Sequence, residues 1–197
     1  MKQKSNNPGG RPKSFEREVV LDAAVQVFWE HGYEGASLDL LTKSMRINKP
    51  SLYSTFGNKH ALFLAAIDRY VATKGAKQSA ALRNEPNLKT AVLDYYREII
   101  NTVTSDEGPS GCLMASVAAE VAERDPMVRD KIASSLQLSE AYIDDRLQRD
   151  TGATGRMIVS AGLSFAQRAR LGAPKEELQA LAHDYVEHFF LEVPAST

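Results

Sequence analysis

Residues 38–56 have the sequence LDLLTKSMRINKPSLYSTF, and this stretch decides the fold. Its pattern predicts two short amphipathic helices joined by a tight turn. The buried face of the first helix is expected to contain Leu38, Leu41 and Met45. Asn48 can cap the second helix, and Pro50 lies in its first turn, where proline is tolerated. Two helices in this arrangement form a helix-turn-helix, whose second helix can lie in a DNA major groove.

The flanking sequence predicts further helices on both sides of this motif. A first helix is expected over residues 14–31, and Gly32 follows it as a C-terminal glycine. Ser37 is placed to cap the first helix of the motif. Gly57 ends the second helix of the motif, and Asn58 can cap a fourth helix.

The composition is that of an ordinary soluble globular protein. The 197 residues are 43% hydrophobic and 25% charged, which corresponds to one large domain or two small ones. No apolar run approaches the ~18 residues of a membrane span, and the basic, polar N-terminus does not resemble a secretory signal. The single cysteine excludes an internal disulfide. A cytoplasmic protein without a membrane partner is therefore expected.

Charge is distributed unevenly along the chain. Residues 1–60 contain nine Lys or Arg and six Asp or Glu, whereas residues 61–197 contain fifteen and nineteen. A basic front end on an acidic body favours an anionic partner for the front end. Residues 1–14 are predicted to be a flexible basic arm, in which Arg11 and Lys13 can enter a DNA minor groove. The alternative is a solubilising tail.

Residues 15–70 resemble the DNA-binding domain of the TetR family of bacterial transcriptional regulators. The resemblance is carried by Val20-Leu21-Asp22-Ala23-Ala24, Phe28, His31-Gly32-Tyr33, Ser51-Leu52-Tyr53, Phe56-Gly57, Lys59 and Leu62-Phe63. It implies a homodimeric, ligand-responsive regulator, most often a repressor, that binds a palindromic operator in double-stranded DNA. A small molecule or a reactive species would release the protein from the operator. The resemblance implies neither an enzyme nor a cofactor.

Helical periodicity and the resemblance together predict an all-α fold of about nine helices. Residues 15–60 would form the N-terminal helix-turn-helix domain, with the motif at about 38–57 and a linking helix to about residue 80. Residues 81–197 would form a helical domain for ligand binding and dimerisation. No strand pattern or internal repeat follows the basic arm.

The resemblance also implies DNA contacts. In such domains the tyrosine of the second motif helix and the lysine after Phe-Gly hold phosphates, which here are Tyr53 and Lys59. The full set of expected contacts to phosphates or base edges is Ser37, Arg46, Asn48, Lys49, Ser51, Tyr53, Ser54 and Lys59. Ser51, Ser54 and Asn48 are the members of this set expected to reach base edges.

Arg46 is a departure from the family pattern. The turn between the two motif helices usually contains glycine, because it needs a residue in the left-handed region. That conformation costs a residue with a side chain roughly 1 kcal/mol. The sequence therefore leaves the geometry of the turn open, and the guanidinium of Arg46 could add a phosphate contact.

Two final helices are predicted at about 153–171 and 174–191. The last is amphipathic, and its partner has a ridge of small residues that lets helices approach closely. In TetR-like proteins the last two helices form a four-helix bundle with those of a second subunit. The expected dimer interface contains Ile158, Gly162, Phe165, Leu178, Tyr185 and Phe189.

The middle helices contain aromatic, aliphatic and sulfur-bearing residues with two interpretations. Most should belong to the core, and some should line an apolar ligand pocket between helices. The predicted pocket residues are Tyr95, Ile99, Cys112, Met114, Tyr142 and Phe165.

Cys112 has an additional interpretation. It follows Gly111 and is predicted at a helix start, where the helix dipole can make a thiol more reactive. Gly111-Cys112-Leu113 resembles a segment in one branch of the family, some of whose members sense electrophiles or oxidants through cysteine. The alternative is a small buried hydrophobe, which cysteine usually is.

No metal site is predicted. His183 and His188 lie roughly 140° apart on a helix, so their rings do not converge. Two rival functions stay open: a small-molecule binding or modifying helical protein whose helix-turn-helix is only a fold element, and an enzyme built on Cys112. Salt-dependent binding to DNA upstream of its own gene would distinguish a regulator from both.

Overall fold

The computed structural model describes residues 13–106, 108–147 and 153–191, and all regular structure in these residues is helical. The helices are α1 Lys13–Gly35, α2 Leu38–Met45, α3 Lys49–Phe56, α4 Lys59–Tyr70, α5 Ala76–Asn84, α6 Leu88–Val103, α7 Ala119–Ala122, α8 Pro126–Arg146, α9 Gly155–Arg170 and α10 Lys175–Phe189. A π-helical turn, Val71–Gly75, joins α4 to α5 in one continuous run, and a second, Met114–Ala118, leads into α7. The predicted all-α architecture is confirmed.

The helix-turn-helix forms where the sequence predicts it. Ser37 Oγ accepts a hydrogen bond from the Leu40 amide (3.2 Å) at the start of α2. Asn48 Oδ1 accepts one from the Ser51 amide (2.8 Å) at the start of α3. These caps satisfy amides that have no partner inside the helix, and both were expected from sequence.

Helix α1 extends beyond its predicted end. Gly32, with φ 71° and ψ 174°, kinks α1, so the helix predicted to end at residue 31 is followed by one more turn. Residues 1–12 of the predicted arm, including Arg11, lie outside the part of the chain that the structure describes. Lys13 is the first residue of α1, and its side chain is not described.

Arg46 occupies the left-handed region, with φ 54° and ψ 40°. It is the non-glycine residue with a positive φ within the described part of the chain. The turn is closed by two backbone hydrogen bonds, from the Arg46 amide to the Lys43 carbonyl (3.3 Å) and from the Ile47 amide to the Thr42 carbonyl (3.1 Å). The turn therefore has the left-handed geometry with arginine in place of glycine, a point that the sequence had left open.

The N-terminal head, defined as α1–α3, and the body, defined as α5–α10, are joined by α4. One face of α4 is buried against the head, where the Phe63 ring lies 4.9 Å from the rings of both Phe28 and Tyr33. The core of the head continues into the body, because Leu113, Val117 and Val128 belong to the same apolar cluster. A second apolar cluster lies within the body and includes residues of α6, α9 and α10. In the described residues, no helix is long and apolar enough to cross a membrane.

The structure corrects the predicted dimer interface. Ile158, Phe165 and Leu178 have no exposed surface in the single chain, because they form the core between α6, α9 and α10. Gly162 faces inward, and a Cβ built on it would lie 2.9 Å from Ile99 Cδ1. The small residue in α9 therefore serves close packing inside one subunit.

Tyr185 and Phe189 are only half-buried on α10, and their rings stack at 5.9 Å. They also pack against the core of the body. Of the six residues predicted at the interface, these two keep a partly accessible surface.

Replacing Arg46 with glycine should stabilise the protein by about 0.5–1 kcal/mol. Glycine removes the cost of the left-handed conformation but gains entropy in the unfolded chain, so the net effect is smaller than the strain itself. Urea denaturation measures the change. Arg46→Ala is the matched control, because alanine removes the guanidinium and keeps the strain. Equal stabilisation by alanine and glycine would contradict the backbone explanation.

Candidate nucleic-acid interface and internal cavity

Helix α3 presents a polar face outward and an apolar face inward. Leu52 has no exposed surface and Phe56 is buried, so these two side chains fix the helix on the head. Tyr53 is 47% exposed although it is aromatic. The predicted contact residues that are exposed are Ser37, Arg46, Asn48, Lys49, Tyr53 and Ser54, whereas Ser51 and Lys59 are half-buried.

Several of these side chains already have partners inside the head. The Ser37 and Asn48 oxygens cap α2 and α3. The Ser54 hydroxyl donates to the Ser51 carbonyl at 3.1 Å. These residues lie on the outward side of the motif, but their side chains already make hydrogen bonds to the backbone of the motif.

Lys49 is paired across the motif. Its Nζ lies 2.7 Å from Asp39 Oδ1, which joins the start of α3 to the first turn of α2. The hydrogen bond to Asp39 raises the pKa of Lys49, and the negative charge of Asp39 acts in the same direction. A phosphate at Lys49 would have to share the ammonium group with Asp39 or displace it, which sequence analysis did not show.

Lys59 is positioned by the head although it belongs to the first turn of α4. Its Nζ lies 4.7 Å from the centre of the Tyr33 ring and 3.4 Å from the Glu34 carbonyl oxygen, to which it donates. A cation over an aromatic face is held in place by the ring quadrupole. The N-terminus of a helix also favours anions. Lys59 and the α4 amides therefore provide a fixed positive site next to α3.

The start of α4 also contacts the body. His60 Nε2 pairs with Asp125 Oδ2, and Asp125 caps α8 by accepting from the Met127 and Val128 amides. A second pair joins Lys131 Nζ of α8 to Asp68 Oδ1 of α4 at 2.5 Å. Helix α8 is thus held to α4 by two polar contacts.

The opposite side of α4 is held to α1. The Arg69 guanidinium donates to both carboxylate oxygens of Asp22, at 2.7 and 2.9 Å, and lies 3.1 Å from Glu18. A bidentate pair of this kind fixes direction as well as distance. A movement of α8 that carries α4 with it would therefore carry α1 as well.

A cavity of about 1090 Å³ lies where the head, α4 and the body meet. Four of the predicted pocket residues line it: Tyr95, Ile99, Cys112 and Met114. Tyr142 and Phe165 do not line it, because Phe165 is fully buried in the core of the body and Tyr142 packs against that core. The prediction that Tyr142 and Phe165 line the ligand pocket is therefore corrected: both belong to the packing of the body.

Two lining residues that the sequence analysis missed come from outside the body. Trp29 belongs to α1 and Tyr70 is the last residue of α4. Helical periodicity places both on buried faces, but periodicity does not distinguish a residue that faces a neighbouring helix from one that faces a cavity. The head therefore forms part of the cavity wall.

Cys112 lies in this wall and is hydrogen-bonded. Tyr70 Oη donates to Cys112 Sγ at 3.3 Å. Burial raises the pKa of Tyr70 well above its ordinary value, and the neighbouring Cys112 adds to this effect. Cys112 precedes Leu113, the residue before the Met114–Ala118 turn, so it is not in the first turn of an α-helix as predicted. The thiol is half-buried, which gives a molecule in the cavity access to it.

Comparisons with known proteins agree with this geometry. The family described as bacterial regulatory proteins, tetR family, matches residues 20–66. A helix-turn-helix regulator of Bacillus subtilis, YezE, is 32% identical over 182 residues, which are 86% of this chain and 94% of that protein. The Escherichia coli repressor ComR is 43% identical over 106 residues, but this match spans only 53% of the chain and 50% of ComR.

A solved structure matches over a similar length. It is a cysteine variant of CifR, a TetR-family transcriptional regulator, in complex with 26-base-pair operator DNA. The two chains share 31% identity with a TM-score of 0.78, over 90% of this chain and 98% of CifR. The chain belongs to the TetR family of bacterial transcriptional regulators. Its exposed α3 and its internal cavity are the parts that a ligand-responsive DNA-binding regulator of this family requires.

The contact between Asp125 and His60 should make the stability of this TetR-family regulator depend on pH. Burial acts to raise the pKa of Asp125, but hydrogen bonds from His60 and from the Val128 and Met127 amides outweigh it, and the pKa lies below its ordinary value of 3.8. The ionised carboxylate therefore stabilises the fold above pH 3.8, and this stabilisation is lost as pH falls through the lower folded pKa.

Asp125→Asn should accordingly be less stable than wild type near neutral pH, and the difference should vanish as the solution is acidified below pH 3.8. Asparagine caps helices about as well as aspartate, so the variant removes the charge and keeps the cap. Urea denaturation across the pH range measures the difference. Asp130→Asn, an exposed acid on the same helix, controls for net charge. A difference that does not change with pH would show that charge is not its origin.

Proposed function

We propose that the chain is a homodimeric repressor that holds a palindromic operator with α3 and releases it when a small molecule enters the cavity. The observation that carries this proposal is the shared cavity wall. Trp29 of the head, Tyr70 of α4 and Tyr95 of α6 all line one space. A ligand there touches the DNA-binding part and the body at once, so its presence can change how the two are arranged.

The operator would meet the outward face of the motif. Helix α3 enters the major groove, where Ser51, Ser54 and Asn48 reach base edges. Tyr53 and Lys59 hold phosphates on either side of the groove, with Ser37, Arg46 and Lys49 as further phosphate contacts. The fixed position of Lys59 over Tyr33 supports its assignment, because an ordered cation loses little entropy when it binds.

The second subunit would cover the outer face of α9 and the adjacent part of α10. Two large apolar side chains are exposed there: Met157 of α9 is 44% exposed, and Leu171, the residue after α9, is 84% exposed. Exposed apolar surface on one face favours association with a second protein surface. A two-fold axis through this face would present two α3 helices to two half-sites of a palindrome.

Ligand binding would act through α4. Its last residue, Tyr70, lines the cavity, and its first turn carries Lys59 and His60. The pairs from α8 to His60 and Asp68 transmit a movement of the cavity wall to α4. Release requires that the ligand bind the DNA-free arrangement more tightly than the DNA-bound one. A regulator of this kind acts at the chromosome, hence in the bacterial cytoplasm.

A reactive species is the second candidate effector, and Cys112 favours it. The thiol lies in the cavity wall and accepts a hydrogen bond from Tyr70. Alkylation or oxidation of Cys112 would add atoms to the cavity and break that hydrogen bond. The same two-state coupling would then release DNA without a reversible ligand.

Lys59→Ala should weaken binding to palindromic DNA from upstream of the gene and reduce its dependence on salt. The slope of log K against log salt concentration is negative, and each lost phosphate contact makes it less steep by about 0.9. The dimer loses two such contacts, so its slope should change by about 2. Fluorescence anisotropy of labelled duplexes at several salt concentrations measures both effects. Lys77→Ala, an exposed lysine of α5, is the control and should leave the slope unchanged.

Ser54→Ala provides the complementary comparison, since it lies on the proposed base-reading face. It should reduce the preference for the palindrome over a scrambled duplex and leave the salt slope near its wild-type value. Wild-type binding that does not distinguish the palindrome from the scrambled duplex would rule out the proposed repressor.

Cys112→Ser should bind the operator as wild type does and should resist release by hydrogen peroxide or N-ethylmaleimide. Serine keeps a hydrogen-bonding group beside Tyr70 but lacks the nucleophilic sulfur, and Cys112 is the single cysteine of the chain. Anisotropy of a preformed operator complex, before and after each reagent, provides the test. If both proteins release DNA equally, the thiol is not the sensor.

A further inference from the structure

The hydroxyl of Tyr95 is a polar group in the cavity wall that has no partner in the protein. Tyr95 of α6 lines the cavity, and its side chain is only 6% exposed. Its Oη makes no hydrogen bond to any other residue that the structure describes. The next residue shows the contrast, because Tyr96 Oη donates to the Ile158 carbonyl at 2.8 Å within the core. Buried hydroxyl groups normally have a partner of this kind, so the Tyr95 hydroxyl is free to bind a group that enters the cavity.

This hydroxyl opens into the cavity and is not enclosed by packing. In the described part of the chain, Trp29 Nε1 is the polar side-chain atom that has neither a hydrogen-bond partner nor accessible surface. The Tyr95 hydroxyl is not such an atom, so it keeps accessible surface, and the cavity is the space that the Tyr95 side chain borders. Burial raises the pKa of Tyr95, and the nearby thiol of Cys112 adds to this effect. The hydroxyl and the thiol therefore lie in the same part of the wall.

Tyr95 also has a proton that is available to a ligand. Tyr70 lines the same cavity, but its Oη already donates to Cys112 Sγ at 3.3 Å. A hydroxyl has one proton to donate, so Tyr70 cannot donate to a ligand without breaking that contact. Because the pKa of Tyr95 lies above its ordinary value, its hydroxyl stays protonated across the physiological pH range. Tyr95 can therefore donate one hydrogen bond to an acceptor in the cavity.

The part of the wall around Tyr95 is uncharged. Its buried members are aliphatic, namely Ile99 and Val103 of α6 and Val159 of α9. A charged ligand group beside them would lose its hydration without gaining a counter-charge, which is costly. The acidic residues and arginines that line the cavity are all exposed, which places them at its opening: Glu30, Arg83, Glu120 and Arg170.

We propose that the cavity binds an uncharged, largely apolar molecule that carries an oxygen acceptor, such as a ketone or an ester, and that Tyr95 Oη donates a hydrogen bond to that oxygen. The inference rests on the proposed role of the cavity as an effector site. The apolar part of the ligand replaces water against the aliphatic wall. A hydrocarbon of the same shape would leave the hydroxyl without a partner, so the site selects the oxygen-bearing compound.

Tyr95 anchors such a ligand on the body, next to the part of the wall that belongs to the head and to α4. Tyr95 lies on α6, whereas Tyr70 is the last residue of α4 and Trp29 lies on α1, and all three line one cavity. A ligand fixed at α6 therefore fills the space beside α4 in one defined position. Its affinity depends on where α4 lies relative to α6, and such a dependence is the differential affinity that an effector needs.

Two naphthalene compounds of nearly equal shape test the donor. 2-Acetylnaphthalene carries a carbonyl oxygen, and 2-ethylnaphthalene does not. Calorimetric titration of both into wild type and into Tyr95→Phe gives four affinities. We expect the replacement to weaken the acetyl compound about 5–10-fold more than it weakens the ethyl compound, which corresponds to one hydrogen bond.

Tyr96→Phe is the matched control, because it removes the same hydroxyl from the next residue, which does not line the cavity. It should leave the preference for the acetyl compound as in wild type. Urea denaturation checks the premise on the same samples. Tyr96→Phe should unfold at a lower urea concentration than wild type, because it loses the hydrogen bond to Ile158. Tyr95→Phe should not, because its hydroxyl has no partner in the protein to lose.

The hydrogen bond can also be observed directly on the ligand. A hydrogen bond to a carbonyl oxygen lowers the stretching frequency of the C=O bond. The carbonyl band of bound 2-acetylnaphthalene should therefore lie at a lower frequency in wild type than in Tyr95→Phe. Infrared difference spectra of the carbonyl-¹³C and unlabelled compounds isolate this band from those of the protein. A change in packing alone would not produce the shift.

Four results would overturn the inference. The first is equal loss of affinity for both compounds in Tyr95→Phe, which would mean that the hydroxyl only affects packing. The second is a carbonyl band at the same frequency in both proteins. The third is loss of the preference in Tyr70→Phe and not in Tyr95→Phe, which would make Tyr70 the donor. The fourth is no binding of either compound to wild type. Operator binding is measured on the same samples, so a repressor that binds DNA but fails these tests would keep the proposed function and lose only this ligand class.

Discussion

The burial of α4 between the head and the body is the contact on which the rest of the structure depends. Leu62, Phe63 and Ala66 have no exposed surface. Removing such side chains from water is the main favourable term in folding. Separating α4 from the head would therefore lose the free energy gained by burying these three side chains. Because α4 also runs through the Val71–Gly75 turn into α5, one helical run joins the DNA-binding motif to the cavity.

The polar contacts around α4 give this apolar junction its direction. Arg69 fixes α4 to α1, whereas His60 and Asp68 contact α8 on the body. Apolar packing alone would tolerate small rotations of α4. Hydrogen-bonded pairs do not, because their geometry is narrow. The junction is therefore suited to move as a unit, which a two-state regulator needs more than local flexibility.

The motif itself combines strain with order. Arg46 holds a left-handed turn that glycine would adopt more cheaply, and the caps at Ser37 and Asn48 fix the helices on either side. Strain of this kind persists only where surrounding contacts over-determine the conformation. Here the inward side chains Leu41 and Leu52, both without exposed surface, supply those contacts. An exposed, charged residue is thereby kept at a position next to α3.

By itself, the sequence determined the helices of the motif, their caps and the family, because each depends on residues that are close along the chain. Only the tertiary structure decided which buried faces meet one another. It placed Ile158, Phe165 and Leu178 inside one subunit rather than between two, and it brought Trp29 and Tyr70 to the cavity. The physical reason is that helical periodicity shows that a face is buried but not what buries it, since the partner lies many residues away.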